Sequence, residues 1–213
     1  MQHQLTEDEV RAEYIRVMGS DLGLLYSELE DELEWLRDKW GEYHQLFCNG
    51  PERIDMLNVV ASNFFALLQK LLFEDAMMHL SRLTDPPQSA GRDTLTVMRL
   101  ADQIHDPSLK ASVRNQAAQA KTRCEFARAW RNKRLAHMDL LNLRTGKVSN
   151  LPNVNVNDVD EAVKSIRDLL TSVGSHYSLR PSGQMAAPWG SKSLLYYLEK
   201  AARMEGYTFG TST

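Results

Sequence analysis

The amino-acid sequence predicts an all-α protein, a bundle of five or six helices in one domain. Two segments, residues 52–85 and 108–145, contain neither glycine nor proline, and they are far longer than a typical β-strand of about 5–6 residues. Their apolar residues recur every three or four positions, which is the period of one helix face. The chain has 213 residues, 43% of them hydrophobic, and this is sufficient for one such core.

The first predicted helix begins at Thr6, because Thr6 and Glu9 form the Thr-x-x-Glu pattern of a capping box. An apolar stripe follows over residues 18–40. Gly19 and Gly23 lie inside this stripe, and glycine lowers helix stability, so we expect a break or a kink there.

A long helix is predicted within residues 52–85, and the segment 84–93, with two prolines and a glycine, is predicted to be a loop. A short helix is predicted over residues 94–104. Pro107 suits the first turn of the next helix, which extends over about 107–130 or beyond and carries a stripe of small residues. The apolar face predicted for the long helix consists of Leu57, Ala61, Phe64, Leu68 and Leu71.

The last strong helix of the bundle is predicted to begin at a cap formed by Asn157 or Asp158. After residue 180 the chain changes character, since a loop rich in proline and glycine leads into a short amphipathic helix at about 191–205 and a polar tail. We therefore divide the chain into a helical bundle, residues 1–180, and a C-terminal segment, residues 181–213.

The composition excludes several classes of protein. A net charge of −3 and a pI near 6.1 exclude a uniformly basic coat protein for nucleic acid. The two cysteines, Cys48 and Cys124, are too few for a disulfide scaffold or a four-cysteine zinc site, and we expect neither a metal nor another cofactor. The N-terminus does not resemble a secretory signal, and no run of about 18 apolar residues predicts a membrane span. We therefore expect a cytoplasmic protein that does not bind membranes.

Charge is strongly segregated along the chain. The N-terminal 47 residues carry twelve acidic and four basic residues, whereas residues 110–134 carry eight basic residues and one acidic residue. One interpretation is that the two oppositely charged helices lie side by side, or that the basic face is simply solvated. The other is a phosphate-binding surface, because clustered lysines and arginines create the field that attracts a polyanion. Charge alone does not choose between them.

The basic helix ends in a motif that points to chemistry. Arg131 and His137 are separated by five residues, and Asn132 follows the arginine directly. This arrangement resembles the R-x(4–6)-H motif of HEPN-domain proteins, which are small all-α bundles, and it looks most like the AbiU-like members related to abortive phage infection. The helical frame extends the resemblance to about residues 5–178. The resemblance implies a metal-independent endoribonuclease that acts as a toxin or an antiphage defence effector.

The three motif residues suit RNA cleavage without a metal. His137 can act as base or acid, because an unperturbed imidazole titrates near pH 6.5. Arg131 stays charged and offers a planar fork of donors to phosphate oxygens. Asn132 can orient the histidine or a phosphate. The expected products are a 2′,3′-cyclic phosphate and a 5′-hydroxyl.

Five further residues are assigned to the same site. Arg128, Lys133 and Arg134 are expected to bind the RNA substrate. Asp139 and Asp75 can orient the histidine, and the alternative role of Asp139 is to cap the following turn. Some HEPN toxins place a tyrosine where this chain has Asp139, so regulation by nucleotide addition to that tyrosine does not carry over. For Asp75, which shares a helix face with His79 and Arg82, an ion-pair ladder is the alternative interpretation.

The spacing of the motif and the resemblance to HEPN proteins together predict a homodimer. On a straight helix, residues 131 and 137 lie about 120° apart around the axis and about 9 Å apart along it. Either the helix bends between them or two chains combine their motifs across a two-fold axis, as the resemblance implies. RNA and an antitoxin or regulatory protein are the other expected partners.

Alternatives without catalysis remain open. Basic residues near a helix C-terminus are favoured by the helix dipole, and His137 can simply cap the last carbonyl groups. The chain would then be a catalytically inactive helical module that binds RNA or a protein, or a structural dimerisation protein.

Overall fold

The computed structural model describes residues 6–89, 91–132, 152–179 and 190–207. In these ranges eight α-helices account for nearly all regular structure, which confirms the all-α prediction. The helices are α1 (Glu7–Met18), α2 (Ser20–Phe47), α3 (Pro51–Leu83), α4 (Leu100–Gln103), α5 (Pro107–Arg123), α6 (Glu125–Trp130), α7 (Val156–His176) and α8 (Ser191–Met204). A two-residue antiparallel pair, β1 (Gln88–Ser89) with β2 (Arg92–Asp93), and a 3₁₀ turn (Val97–Arg99) lie between α3 and α4. The helices outnumber the five or six predicted because two breaks, at Gly19 and Cys124, divide longer helical stretches.

The start and end of α1 follow local sequence chemistry. The Thr6 hydroxyl accepts from the Glu9 amide at 3.3 Å, and the Thr6 amide donates to the Glu9 carboxylate at 2.8 Å, so the predicted capping box is confirmed. At the other end, Gly19 has a φ of 85°, a conformation that glycine adopts without steric cost. The predicted break is therefore confirmed at Gly19.

Gly23 lies within α2, where it allows a close approach of α1. A Cβ at Gly23 would lie 2.6 Å from the Cα of Ile15 and 2.6 Å from the carbonyl oxygen of Tyr14. Tyr14 is itself buried, and its ring meets the edge of Tyr26 at a centroid distance of 5.1 Å. The absence of a side chain at Gly23 thus fixes how tightly α1 packs on α2.

α3 is kinked at Ala61, which has non-helical dihedral angles of φ −163° and ψ 69°. The predicted apolar face is therefore not continuous: Leu57 is buried, but Phe64 and Leu71 are 57% and 53% exposed. Phe65 takes the buried position after the kink. The prediction assumed an unbroken helix through Ala61 and therefore placed Phe64, rather than Phe65, in the core.

The chain forms two compact units. The first unit comprises Met1–Trp35 and Met77–Gly183, and the second comprises Leu36–Ala76 and Gln184–Thr213. The predicted division of the chain at residue 180 falls in a stretch outside the described residues, and it stays a prediction.

In the first unit, α5 and α7 pack against each other and both contribute to the core. Pro107 occupies the first turn of α5, as predicted, and the Asp106 side chain caps the helix by accepting from the Leu109 amide at 2.6 Å. The cap of α7 is Asn155 rather than Asn157 or Asp158, since Asn155 and Asp158 form a reciprocal capping box. The sequence prediction missed this because Asp158 is the third residue of the helix and not its cap. The buried residues of α7 are Val159, Ala162, Val163, Ile166, Leu169, Leu170, Val173 and Gly174.

The core of the second unit joins the end of α2, the start of α3 and α8. Its buried members are Leu46, Met56, Leu57, Phe65 and Leu195. The Glu42 carboxylate accepts from the Ser191 amide at 2.8 Å and so holds the start of α8. The observed helix Ser191–Met204 agrees with the amphipathic helix predicted at about 191–205.

Within the described ranges, α3 is the one helix that is long and apolar enough to cross a membrane, by length and composition alone. No membrane span was predicted from the sequence, because it contains no uninterrupted run of about 18 apolar residues. Only 17% of the most apolar window of α3 is buried. The helix therefore presents a large apolar surface.

Candidate functional site

Two arginines of the predicted motif region share one carboxylate. Arg131 Nη1 is ion-paired with Asp85 Oδ2, and Arg128 Nε lies 3.6 Å from Asp85 Oδ1. Arg128 Nη2 also donates to the carbonyl oxygen of Thr84 at 2.8 Å. All three charged side chains are between 18% and 23% exposed. We call Asp85, Arg128 and Arg131 the arginine–aspartate cluster.

The chain after α3 forms a fixed support for this cluster. The Asp85 amide donates to the carbonyl oxygen of Arg82 at 3.1 Å. Thr96, which is fully buried, donates its hydroxyl to the carbonyl oxygens of Asp85 at 2.8 Å and of Leu83 at 3.0 Å. Both sides of the loop are thus tied together, and the Asp85 carboxylate is presented from a rigid backbone.

The residues around Arg131 orient it further. Arg131 Nε donates to the Asn132 side-chain oxygen at 3.2 Å, and the backbone at these two residues is π-helical. Such irregular helical turns occur frequently at functional sites. The preceding residue, Trp130, is partly buried and donates from its ring nitrogen to the carbonyl oxygen of Pro152 at 3.3 Å. The structure therefore brings together Arg128, Arg131 and Asn132 of the predicted site.

The other predicted residues at the end of the basic helix lie outside the described residues. These are Lys133, Arg134, His137 and Asp139. Their roles in substrate binding, acid–base catalysis and orientation stay predictions.

Asp75 lies in the second unit, whereas the arginine–aspartate cluster belongs to the first. Its carboxylate pairs with Lys39 Nζ at 2.6 Å, and its orienting role stays a prediction. His79 and Arg82, which share its helix face in the sequence pattern, both contact Glu32: His79 Nδ1 at 3.2 Å and Arg82 Nη2 at 2.5 Å. These contacts have the character of the ion-pair ladder that was the alternative interpretation.

Two basic side chains of α5 pair with acidic residues outside the N-terminal helices. Arg123 Nη1 lies 2.9 Å from Glu161, and Arg114 Nη2 lies 3.5 Å from Asp102. Both pairs are largely exposed, so each contributes little to stability. These contacts differ from the simple arrangement in which the basic helix lies against the acidic N-terminal helix.

Cys124, at the break between α5 and α6, is a neutral core thiol. Burial raises its pKa to about 12, although a hydrogen bond with Thr84 and the charge of Arg128 act in the opposite direction. Because the thiolate is the nucleophilic form of cysteine, Cys124 is not a nucleophile at neutral pH. Among the residues described, no group of three or more histidine, cysteine, aspartate or glutamate side chains is arranged to hold a metal ion.

Asp85 and Thr84 are the members of this site that the sequence analysis missed. They belong to the segment 84–93, which was predicted only as a loop, and they lie more than 40 residues from the arginines that they contact. One signal was available in the sequence: Asp85 is the last residue before Pro86 and Pro87, and helices usually end at or before the residue that precedes a proline.

An all-α bundle in which a basic helix ends in an adjacent arginine and asparagine has the features of a HEPN protein. The family model described as AbiU2, one of the HEPN families, matches residues 19–194. The chain therefore belongs to the AbiU2 family and is a HEPN protein of the abortive-infection type, as the resemblance in the sequence predicted. No curated protein and no solved structure matches the chain.

Proposed function

We propose that the protein is a metal-independent endoribonuclease that acts as a toxin or an antiphage defence effector in the cytoplasm. The observation that supports this most directly is the arginine–aspartate cluster. Two guanidinium groups are held side by side, partly exposed, immediately before Asn132 and the remainder of the motif. Two cations against one anion leave a net positive charge, which favours a phosphate group.

The proposed reaction is an internal transfer within the RNA chain. The 2′-oxygen attacks the adjacent phosphorus, and the bond from phosphorus to the 5′-oxygen breaks. His137 takes the proton of the 2′-hydroxyl, a second acid protonates the departing 5′-oxygen, and Arg131 stabilises the charge on the phosphorane. Positioned acid–base groups of this kind contribute about 10²–10⁴-fold to rate, and the loss of one preorganised donor to a developing anion costs about 10²–10³-fold.

A second copy of the chain is proposed to supply the second acid–base group. The spacing of residues 131 and 137 requires either a bent helix or two copies, and α3 offers a surface on which copies can meet. Phe64, Leu67 and Leu71 are each more than half exposed, with the 3–4 spacing of a narrow helix–helix seam. Residues 56–69 carry no charge, so two copies can pair there without opposing like charges. A helix that lies on a membrane surface usually has a polar face rich in lysine and arginine. Residues 56–69 have no such residues, which favours a second copy of the chain over a membrane.

The test is cleavage of labelled RNA by wild type, Arg131→Ala and His137→Ala, with EDTA present throughout. We expect wild type to leave 2′,3′-cyclic phosphate ends, and both variants to lose at least 10²-fold in rate while they still bind RNA. Arg123→Ala is the matched control, because it removes an arginine of the same basic surface that pairs with Glu161. The control should cut at nearly the wild-type rate.

The alternative function is an inactive helical module that binds RNA or a protein. It is favoured if folded wild type binds RNA but cuts none. A weakening of RNA affinity with rising salt would then identify phosphate contacts, whereas the absence of RNA binding would favour a protein partner such as an antitoxin.

A further inference from the structure

Asp85 is the acidic partner that two site arginines share. Its Oδ2 pairs with Arg131, and its buried Oδ1 makes no hydrogen bond but lies 3.6 Å from Arg128 Nε. The attraction to Arg128 is therefore coulombic, while the contact with Arg131 is a direct, charge-assisted hydrogen bond. The two arginines lie about one helical turn apart, so the carboxylate ties together two successive turns.

The carboxylate can hold Arg131 because it is itself held. Its backbone is fixed by the Thr96 hydroxyl and by the turn that ends α3, and its side chain is only 18% exposed. An arginine side chain has many rotamers in solution, and orienting it in advance saves that entropy when a ligand binds. A fixed partner thus converts a mobile cation into a preorganised one.

Two of the three guanidinium nitrogens of Arg131 are engaged by residues that the structure describes. Nη1 is engaged by Asp85 and Nε by Asn132, while Nη2 has no hydrogen-bond partner among the residues that the structure describes. We propose that Asp85 is a positioning residue, which fixes the guanidinium of Arg131 so that Nη2 meets the scissile phosphate of the RNA. This inference rests on the proposed ribonuclease function.

The charge of the cluster gives this proposal a specific signature. Asp85 cancels one of the two positive charges, so its removal leaves a more positive surface for RNA. A positioning role therefore predicts that the cleavage rate falls while RNA affinity stays the same or increases. A purely structural role predicts a loss of both, together with a lower melting temperature.

The experiment compares Asp85→Asn and Asp85→Ala with wild type under single-turnover conditions. Affinity is measured with a fully 2′-O-methylated RNA, which lacks the attacking hydroxyl and stays intact. We expect the cleavage rate to fall about 10–100-fold, further for Asp85→Ala than for Asp85→Asn, with no loss of affinity. Glu161→Gln is the matched control, because it neutralises the carboxylate beside Arg123 on the same basic surface; it should leave the cleavage rate unchanged, and its affinity should stay the same or increase as for the Asp85 variants.

A second measurement does not depend on cleavage. The ¹⁵Nε signal of Arg131 reports the order of its side chain by NMR relaxation, and we expect this order to fall in both Asp85 variants. If wild type cuts no RNA, the proposed function fails, and the relaxation data still decide whether Asp85 holds Arg131. An unchanged or faster cleavage rate in Asp85→Asn would overturn the inference, as would a parallel loss of rate and affinity or an equally ordered Arg131.

Discussion

Gly23→Ala tests the packing of α1 on α2. A new Cβ would lie 2.6 Å from backbone atoms of Tyr14 and Ile15, and ordinary contacts begin at 3.4 Å. Since backbone atoms cannot rotate away, α1 must move by about 0.8 Å, and overpacking of this kind costs about 1–3 kcal/mol. Alanine recovers about 1 kcal/mol of helix propensity. We therefore expect a net loss of up to about 2 kcal/mol in the free energy of unfolding.

Gly41 provides a matched control in the same helix. A Cβ there would meet nothing within 4 Å, so Gly41→Ala should stabilise the protein by about 0.5–1 kcal/mol. Urea unfolding followed by far-UV circular dichroism measures both variants against wild type. The two substitutions should shift the unfolding midpoint in opposite directions. If Gly23→Ala is as stable as Gly41→Ala, α1 does not lie against Gly23 in solution and the reasoning is refuted.

Two further predictions concern the thiols and the exposed face of α3. A thiol reagent at neutral pH should modify one cysteine of the native protein, because Cys48 is exposed and Cys124 is buried; rapid modification of both would contradict this. Burial raises the pKa of Cys124 from 9.0 to about 12, so the unfolded chain holds fewer protons than the folded chain across this interval. The free energy of unfolding should therefore decrease between about pH 9 and pH 12, and Cys124→Ala, corrected for its own loss of packing, should flatten that decrease. Leu67→Asp should convert a dimer to a monomer of 24.3 kDa in sedimentation equilibrium, since it places a charge in the apolar seam. Met204→Asp, at a position that is 82% exposed on α8, should leave the dimer intact. A monomeric wild type, a dimer that survives Leu67→Asp, or flotation of the protein with lipid vesicles would each contradict pairing through α3.

Local chemistry explains which parts of the fold could be predicted from the sequence. The capping box at Thr6, the break at Gly19 and the position of Pro107 depend on a few adjacent residues, and the structure confirms all three. No proline or glycine lies near the kink at Ala61, so the sequence did not predict it, and the predicted buried face of α3 was wrong after that residue. The cap of α7 was misplaced because Asn155 lies in a segment whose several Asn and Asp residues offer competing caps.

The candidate site was predictable only in part. The motif identified Arg131 and Asn132 from adjacent residues, and the basic character of the helix identified Arg128. The Asp85 carboxylate reaches the two arginines only because the segment after α3 folds against the end of the basic helix, and no short-range pattern encodes a contact across 46 residues. Both the family and the helical class were within reach of the sequence, whereas the electrostatic partner of the arginines was not.

The position of α8 in the core of the second unit has a consequence for synthesis of the chain. Met56, Leu57 and Phe65 are made early, but Leu195, which packs in the same cluster, follows Phe65 by about 130 residues. At a translation rate of about 5–20 residues per second, Leu195 is synthesised roughly 7–26 s after Phe65. During that interval the apolar side chains of Met56, Leu57 and Phe65 lack this part of their core, and chaperones of the cell can bind the exposed apolar surface.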